Sequence, residues 1–238
     1  MNLPFKKIFV ILVLELFALF ILYNKEKIMQ LWWQKKIIVG AGMIGSLLLV
    51  LESVLGTLAW PTYKIGPYPI AMLTAKGTPY ELGFRMLQLV AGGLILVTLI
   101  ALIRYATETQ KVKFNRDLRF LSLFWLISLV LQFIWPITLD VAISVTPISI
   151  RDVVFGLVII CLGASLIQLG RSAQTNRFGS LSNAVILLGI LYILFNFLTY
   201  VVTLIGWPVN GFLDVMANDV VAVAMGFISW YFMRLAES

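Results

Sequence analysis

The residues of this chain that could do chemistry are the acids, bases and carboxamides set inside long apolar stretches. A charge at the centre of a membrane helix costs about 2.5–3.5 kcal/mol or more, so such groups mark either structural pairs or sites. Glu52 and Asp219 sit well inside apolar blocks, where a carboxylate can hold a proton or a cation. Glu81 and Arg85 stand four residues apart, the spacing of an ion pair along one helix face, and Gln88 lies on a neighbouring face. Arg85 is expected to neutralise Glu52 or Asp219 in a buried cluster. Arg151 and Asp152 open one apolar block, while Asp214 and Asn218 fall in the first turns of the last. A carboxylate in a first turn caps free amides and complements the helix dipole, which is the role expected of Asp152 and Asp214. Gln132 comes just before Trp135, and Asn196, Thr199 and Tyr200 form a stripe suited to interhelical hydrogen bonds. Glu15 is a lone acid on the first apolar block and is expected to face a partner subunit. The candidates for ligand or ion binding are Glu52, Arg85, Asp219, Asn218, Asp214 and Tyr68.

Other chemistry is excluded by composition. The chain has no histidine, which removes the commonest metal ligand and the commonest general base. Its one cysteine, Cys161, lies in an apolar block and behaves as a small hydrophobe. There is no phosphate-binding glycine loop, no nucleophile elbow and no paired-carboxylate protease signature. No cofactor and no metal site are expected, and the chain reads as non-catalytic.

The elements that position these residues follow from hydropathy. Of 238 residues, 61% are hydrophobic and 12% charged, about half the charged share of a soluble domain. Apolar residues come in blocks of roughly 20, the length that crosses a hydrocarbon core. The chain is therefore expected to be an all-α polytopic transmembrane bundle. It has seven spans, near residues 8–23, 37–60, 81–104, 120–135, 151–170, 181–207 and 212–233. Residues 1–36 form an N-terminal helix with a basic loop, and 37–238 a six-helix core. The net charge of +7 flanks the apolar blocks as topology signals do, so a lipid bilayer rather than nucleic acid is the partner. Twelve basic residues on one side against five on the other put the carboxyl terminus in the cytoplasm and the amino terminus outside a cell membrane. If Lys6 and Lys7 stay inside, the first block is interfacial or re-entrant and the count becomes fourteen against three.

The punctuation between the spans repeats. Trp-Pro occurs at Trp60-Pro61, Trp135-Pro136 and Trp207-Pro208, each closing an outward-running span. Trp favours the membrane interface and Pro stops a helix, so independent helix ends could converge on this pair. The alternative is three duplicated helical hairpins. A mid-span glycine follows each corner (Gly92 and Gly93, Gly163, Gly226), suited to close helix packing. The first corner is the most elaborate: Trp60 to Gly83 carries four of the eight prolines and cannot be a membrane helix.

Two resemblances bear on the reading. The segment Gly66-Pro67-Tyr68, then Ala71-Met72-Leu73, then Gly77-Thr78-Pro79 before an apolar block resembles the first outer loop of a bacterial six-helix membrane family. That family is known only as a domain of unknown function, distantly similar to DRAM/Sfk-type proteins. The resemblance spans about residues 37–235 and implies a six-helix core without established chemistry. The family's acidic residue in the middle segment and its downstream histidine are missing here. Separately, LDVMAND at 213–219 resembles the seventh helix of microbial rhodopsins. Asn218 stands where the retinal lysine belongs, and no lysine lies inside any span, so no retinal Schiff base can form. The function expected from these readings is a scaffold or accessory subunit of a membrane complex that binds lipid on its outer side. The alternatives are a small proton- or cation-coupled transporter and an outer-leaflet lipid-modifying enzyme.

Overall fold

A computed structural model describes residues 35–137 and 149–235. The expected first span, with Glu15, lies outside the described residues. Six helices carry the rest: α1 (Lys36–Ala59), α2 (Glu81–Glu108), α3 (Val112–Ile134), α4 (Ile150–Thr175), α5 (Gly179–Ile205) and α6 (Asn210–Leu235). All six are long and apolar enough to cross a membrane. The shortest has 23 residues, about 35 Å at 1.5 Å per residue, against a hydrocarbon core of about 30 Å. Large apolar side chains cover the perimeter: Leu58, Ile134 and Phe197 are 74%, 73% and 62% exposed. Such a surface suits lipid rather than water.

Each helix packs on its sequence neighbours, and α6 returns to pack on α1, so the bundle is a closed ring. The expected hairpins α1–α2, α3–α4 and α5–α6 are packed pairs, but α4–α5 and α6–α1 are packed comparably. The three Trp-Pro corners share one end of the ring, where backbone bonds tie their loops together. Lys35, Lys36, Arg104, Lys111, Lys113, Arg116, Arg119, Arg171, Arg177 and Arg234 collect toward the other, basic end.

The helix ends follow local chemistry. Trp60 and Trp135 are the C-caps of α1 and α3, each still donating its amide to the carbonyl four residues back, and the proline after each stops the helix. At the third corner Gly206 takes a left-handed φ of 76° and Trp207 donates to Val202 O at 3.1 Å, a Schellman ending. At the start of α4, Ser149 and Asp152 form a reciprocal capping box, so Asp152 takes the role expected of it.

One boundary differs from expectation. Helix α3 starts at Val112, eight residues before the apolar block at 120. Its first turns are amphipathic: Phe114, Asp117, Leu118 and Leu121 are buried, while Lys113, Arg116 and Arg119 are exposed. Hydropathy averaged over the segment hides that stripe.

Small residues set the ring's spacing near the basic end. A Cβ on Gly45 would strike the Ala91 carbonyl, so α1 and α2 touch backbone to backbone there. One turn away the Gly42 amide donates to Thr98 Oγ1 at 2.8 Å, and that hydroxyl donates to Ile38 O at 3.0 Å. Ser229 of α6 donates to Val39 O from the other side. Of the expected mid-span glycines, Gly92, Gly163 and Gly226 each meet a neighbouring helix, whereas Gly93 faces open space. The centre of the basic half is filled by Phe114, Leu118, Leu166, Leu169 and Leu181. It is sealed by Phe178 and Phe232, with the Lys111 ammonium 4.1 Å from the Phe178 ring centre.

Candidate functional site

The segment from Trp60 to Tyr80 does not stay at the surface. It drops into the Trp-Pro end of the ring and forms a second small core with Tyr63, Ile70, Met72 and Leu73 buried against Phe84, Leu87 and Val215. Prolines set its path, and a 3-10 turn, Ile70–Thr74, forms its deepest part. Leu73 occupies the space opposite Gly56 of α1. Gly211 of α6 lies so close to the Tyr68 and Ile65 carbonyls that a Cβ there would strike backbone. Phe212 N donates to Gly66 O at 3.2 Å and Lys76 N donates to Ile137 O at 2.8 Å, fastening the plug to α6 and to the second corner.

Asp214 holds the turn itself. Its Oδ2 accepts from Ile70 N at 2.8 Å, and Ala71 N also donates to the carboxylate. The expectation that Asp214 caps its own helix is corrected: it lies past the first turn of α6 and caps the plug's 3-10 turn instead. The amides at the start of that turn have no partner within it, and a carboxylate one helix away supplies one.

Beneath the plug lies a cavity of about 240 Å³ on the axis of the ring. Ile70, Ala71 and Thr74 form its roof, with Pro136 and Ile137 of the second corner. Its walls come from every helix: Leu49, Gln88, Trp125, Leu129, Gln132, Arg151, Phe155, Tyr192, Asn196, Asp214, Ala217 and Asn218 among them. Its floor is Leu162, and one turn below that the fully buried Leu166 closes the axis. Trp125 is fixed in the wall by its indole N–H, which donates to Gly92 O at 3.1 Å.

Four carboxamides line this cavity, and all four are oriented alike. Gln88 Nε2 donates to Glu52 Oε1 at 2.8 Å and Gln132 Nε2 to Ser128 Oγ at 3.3 Å. Asn196 Nδ2 donates to Tyr192 O at 2.8 Å and Asn218 Nδ2 to Leu49 O at 3.3 Å. Their side-chain carbonyl oxygens accept nothing from the described residues. At the wall nearest the second corner, Arg151 donates from Nε to Trp135 O at 3.0 Å. It lies 3.6 Å from Asp152 and stacks over Phe155 at 4.3 Å.

The expected charge cluster forms differently. Arg85 pairs with Glu81 at 2.9 Å and donates to Thr74 O at 3.1 Å, so it braces the plug instead of neutralising Glu52 or Asp219. Glu52 is completely buried behind Gln88, and its second oxygen has no partner among the described residues. Asp219 is half-buried with one oxygen likewise unpartnered, but it does not line the cavity; Asp214 and Asn218 on the adjacent face do. Tyr68 packs with the plug's core and is not a wall residue. The interhelical role expected of Asn196 and Thr199 is not what they do: both donate to carbonyls of their own helix, and Tyr200 is exposed. Sequence reasoning missed Tyr192, and it named Gln132 only as a polar residue beside Trp135 without a place in a site. The available signal was the spacing of Tyr192 and Asn196, which places a phenol and a carboxamide on one face.

Tyr63 is the plug's own buried polar group. Its hydroxyl has no partner among the described residues. Burial pushes the phenol above its ordinary range, and the Asp214 and Glu52 carboxylates push it further.

No family model matches this chain, and no curated protein or solved structure matches it.

Proposed function

We propose that this chain is a non-catalytic membrane protein that receives a small ligand from its Trp-Pro side, acting as an accessory subunit of a membrane complex. The supporting observation is the cavity: about 240 Å³, lined by carboxamides, Asp214 and Arg151 among apolar side chains, roofed by a fastened loop and floored by an apolar core. That volume exceeds the roughly 150 Å³ of an apolar void that binds benzene and falls just short of the smallest drug-sized pockets, about 300 Å³. A through-channel needs polar lining in both halves of the bundle, and the basic half is filled with leucine and phenylalanine. The skew of basic residues toward the other end supports an orientation with the Trp-Pro corners outside the cell membrane.

Cysteine accessibility tests the reading. In a Cys161→Ala background, Gln132→Cys and Asn196→Cys should react with a membrane-impermeant thiol reagent added to intact cells, and Leu166→Cys should not. Labelling of the cavity positions only from the cytoplasmic side would sink both the orientation and the site. The accessory role has its own check: the native particle purified in mild detergent should exceed the mass of this chain and its homo-oligomers.

A second reading, a cation-coupled transporter, is supported by Glu52, a buried carboxylate with an unpartnered oxygen one side chain behind the wall. It requires flux in liposomes that is lost in both Glu52→Gln and Asp219→Asn; flux that survives the pair removes it.

A further inference from the structure

We infer that the cavity takes an organic ammonium ion, a compact primary amine bearing an apolar or aromatic group. This rests on the reading of the cavity as a ligand site and names the chemistry of its occupant. The first observation is the orientation of the four carboxamides. Each donates an N–H to protein, the side-chain oxygens of Gln88, Gln132, Asn196 and Asn218 accept nothing from the described residues, and all four residues line the cavity. They come from α2, α3, α5 and α6, so they converge from separate walls. A set of acceptors calls for a ligand rich in donors, and an ammonium group has three donors and no acceptor.

The second observation is charge. Both arginines of the Trp-Pro half are already committed, Arg85 to Glu81 and Arg151 to Asp152. Asp214 lines the cavity with only backbone amides as partners, and Glu52 and Asp219 have no ion pair among the described residues. The exposed Lys64 and Lys76 of this half do not line the cavity and pair with none of these acids, so the charge at the cavity itself favours a cation and disfavours a carboxylate. Arg151 at the wall opposes a cation, but its charge is met by Asp152 and its Nε faces Trp135 O.

The third observation is size and wall chemistry. About 240 Å³ is space for roughly eight waters, far more than a bare alkali ion fills. Trp125 and Tyr192 supply aromatic wall, which attracts both organic cations and their apolar bodies.

Calorimetric titration of the purified full chain tests the class with three probes of closely matched shape: 2-phenylethylammonium, 2-phenylethanol and phenylacetate. The ammonium should bind at least tenfold more tightly than either of the others. Sodium or potassium chloride at equal ionic strength should not displace it. Gln132→Trp, which fills the cavity from a side chain whose only protein bond is within its own helix, should abolish binding. Gln132→Leu should weaken it by about tenfold, the loss of roughly one hydrogen bond, and Gln132→Glu should strengthen it. Preference for the alcohol or the carboxylate, displacement by alkali ions, or ammonium binding untouched by Gln132→Trp would each overturn the inference. If no probe binds while Gln132→Cys and Asn196→Cys still label from outside, the ammonium class falls and the cavity reading stands. If those cysteines also fail to label, both fall.

Discussion

The two halves of this ring are built from the same six helices but solve the problem of the central axis in opposite ways. In the basic half, leucines and phenylalanines meet on the axis, small residues draw α1 against α2 and α6, and hydroxyls bond to backbone across the contacts. Its one buried carboxylate among the described residues, Asp117, has Arg116 beside it at 3.2 Å. In the Trp-Pro half the helices stand around a cavity, a folded loop replaces side chains as the filling, and Glu52 is buried with no ion-pair partner among the described residues. A tightly packed end gives stability, and a loosely filled end with polar walls gives a place for something else. Stability should therefore reside mainly in the basic half.

The largest effect should come from Phe114→Ala. Phe114 is fully buried and touches the rings of Phe178 and Phe232. Truncation removes its packing and leaves a void, a cost of about 3–5 kcal/mol. The thermal midpoint in mild detergent should fall sharply or the folded yield collapse. A loss smaller than that of any cavity-wall substitution would reverse the assignment of the two halves.

Next in size is Asp214→Ala. Removing the carboxylate leaves the Ile70 and Ala71 amides without the acceptor that holds them, a cost of about 1–3 kcal/mol. The loss should be local, because the plug has its own small core. Hydrogen exchange at Ile70 and Ala71 should accelerate while amides in the basic half of α1 and α6 keep their protection. Asp214→Asn retains an acceptor and should restore part of that protection. Uniform acceleration through the whole chain would mean the plug is not a separable unit.

Tyr63→Phe should act in the opposite direction. The buried hydroxyl has no described partner, so deleting it removes a desolvation cost and should stabilise by up to about 1 kcal/mol. The pH dependence supplies a second signature. A phenol whose folded-state ionisation is pushed up contributes stability that is complete below the unfolded value and is lost as pH rises through the folded one. The native protein should therefore lose stability above about pH 10, the ordinary tyrosine value, and Tyr63→Phe should flatten that loss. An unchanged alkaline limb would show that Tyr63 ionises as it does in the unfolded chain.

The fold was far more legible in the sequence than the site was. Six spans could be read because length and hydropathy are set residue by residue along one helix, and the Trp-Pro pairs marked three ends with a physical cause at each. The start of α3 was hidden because its buried stripe is only one residue in three or four, and averaging dilutes it with lysines and arginines. The partners of Arg85 and Asp214 were hidden for another reason. Both bond to backbone atoms of the plug, Thr74 O and Ile70 N, and a sequence carries no sign of where a loop's carbonyls and amides will lie. The four carboxamides were visible one at a time, as scattered polar residues on separate spans. Only closure of the ring, with α6 against α1, brings them to one cavity.

The smallest expected effect is also the one that separates a site from a structural network. Gln132 and Asn196 each donate only to their own helix, to Ser128 Oγ and to Tyr192 O, and their oxygens serve no other described residue. If their place in the wall were structural, replacing both by alanine would cost about 1 kcal/mol for each lost bond. If they line a ligand cavity, the double substitution should leave the thermal midpoint of the empty protein almost unchanged, within about 0.5 kcal/mol, as distant surface changes do. Gln88→Ala is the control, because Gln88 holds the buried Glu52 and its loss strands a carboxylate. That variant should destabilise clearly. Equal penalties for the Gln88 and Gln132/Asn196 variants would mean that all the carboxamides support the fold, and the contrast between a filled half and a receptive half would lose its basis.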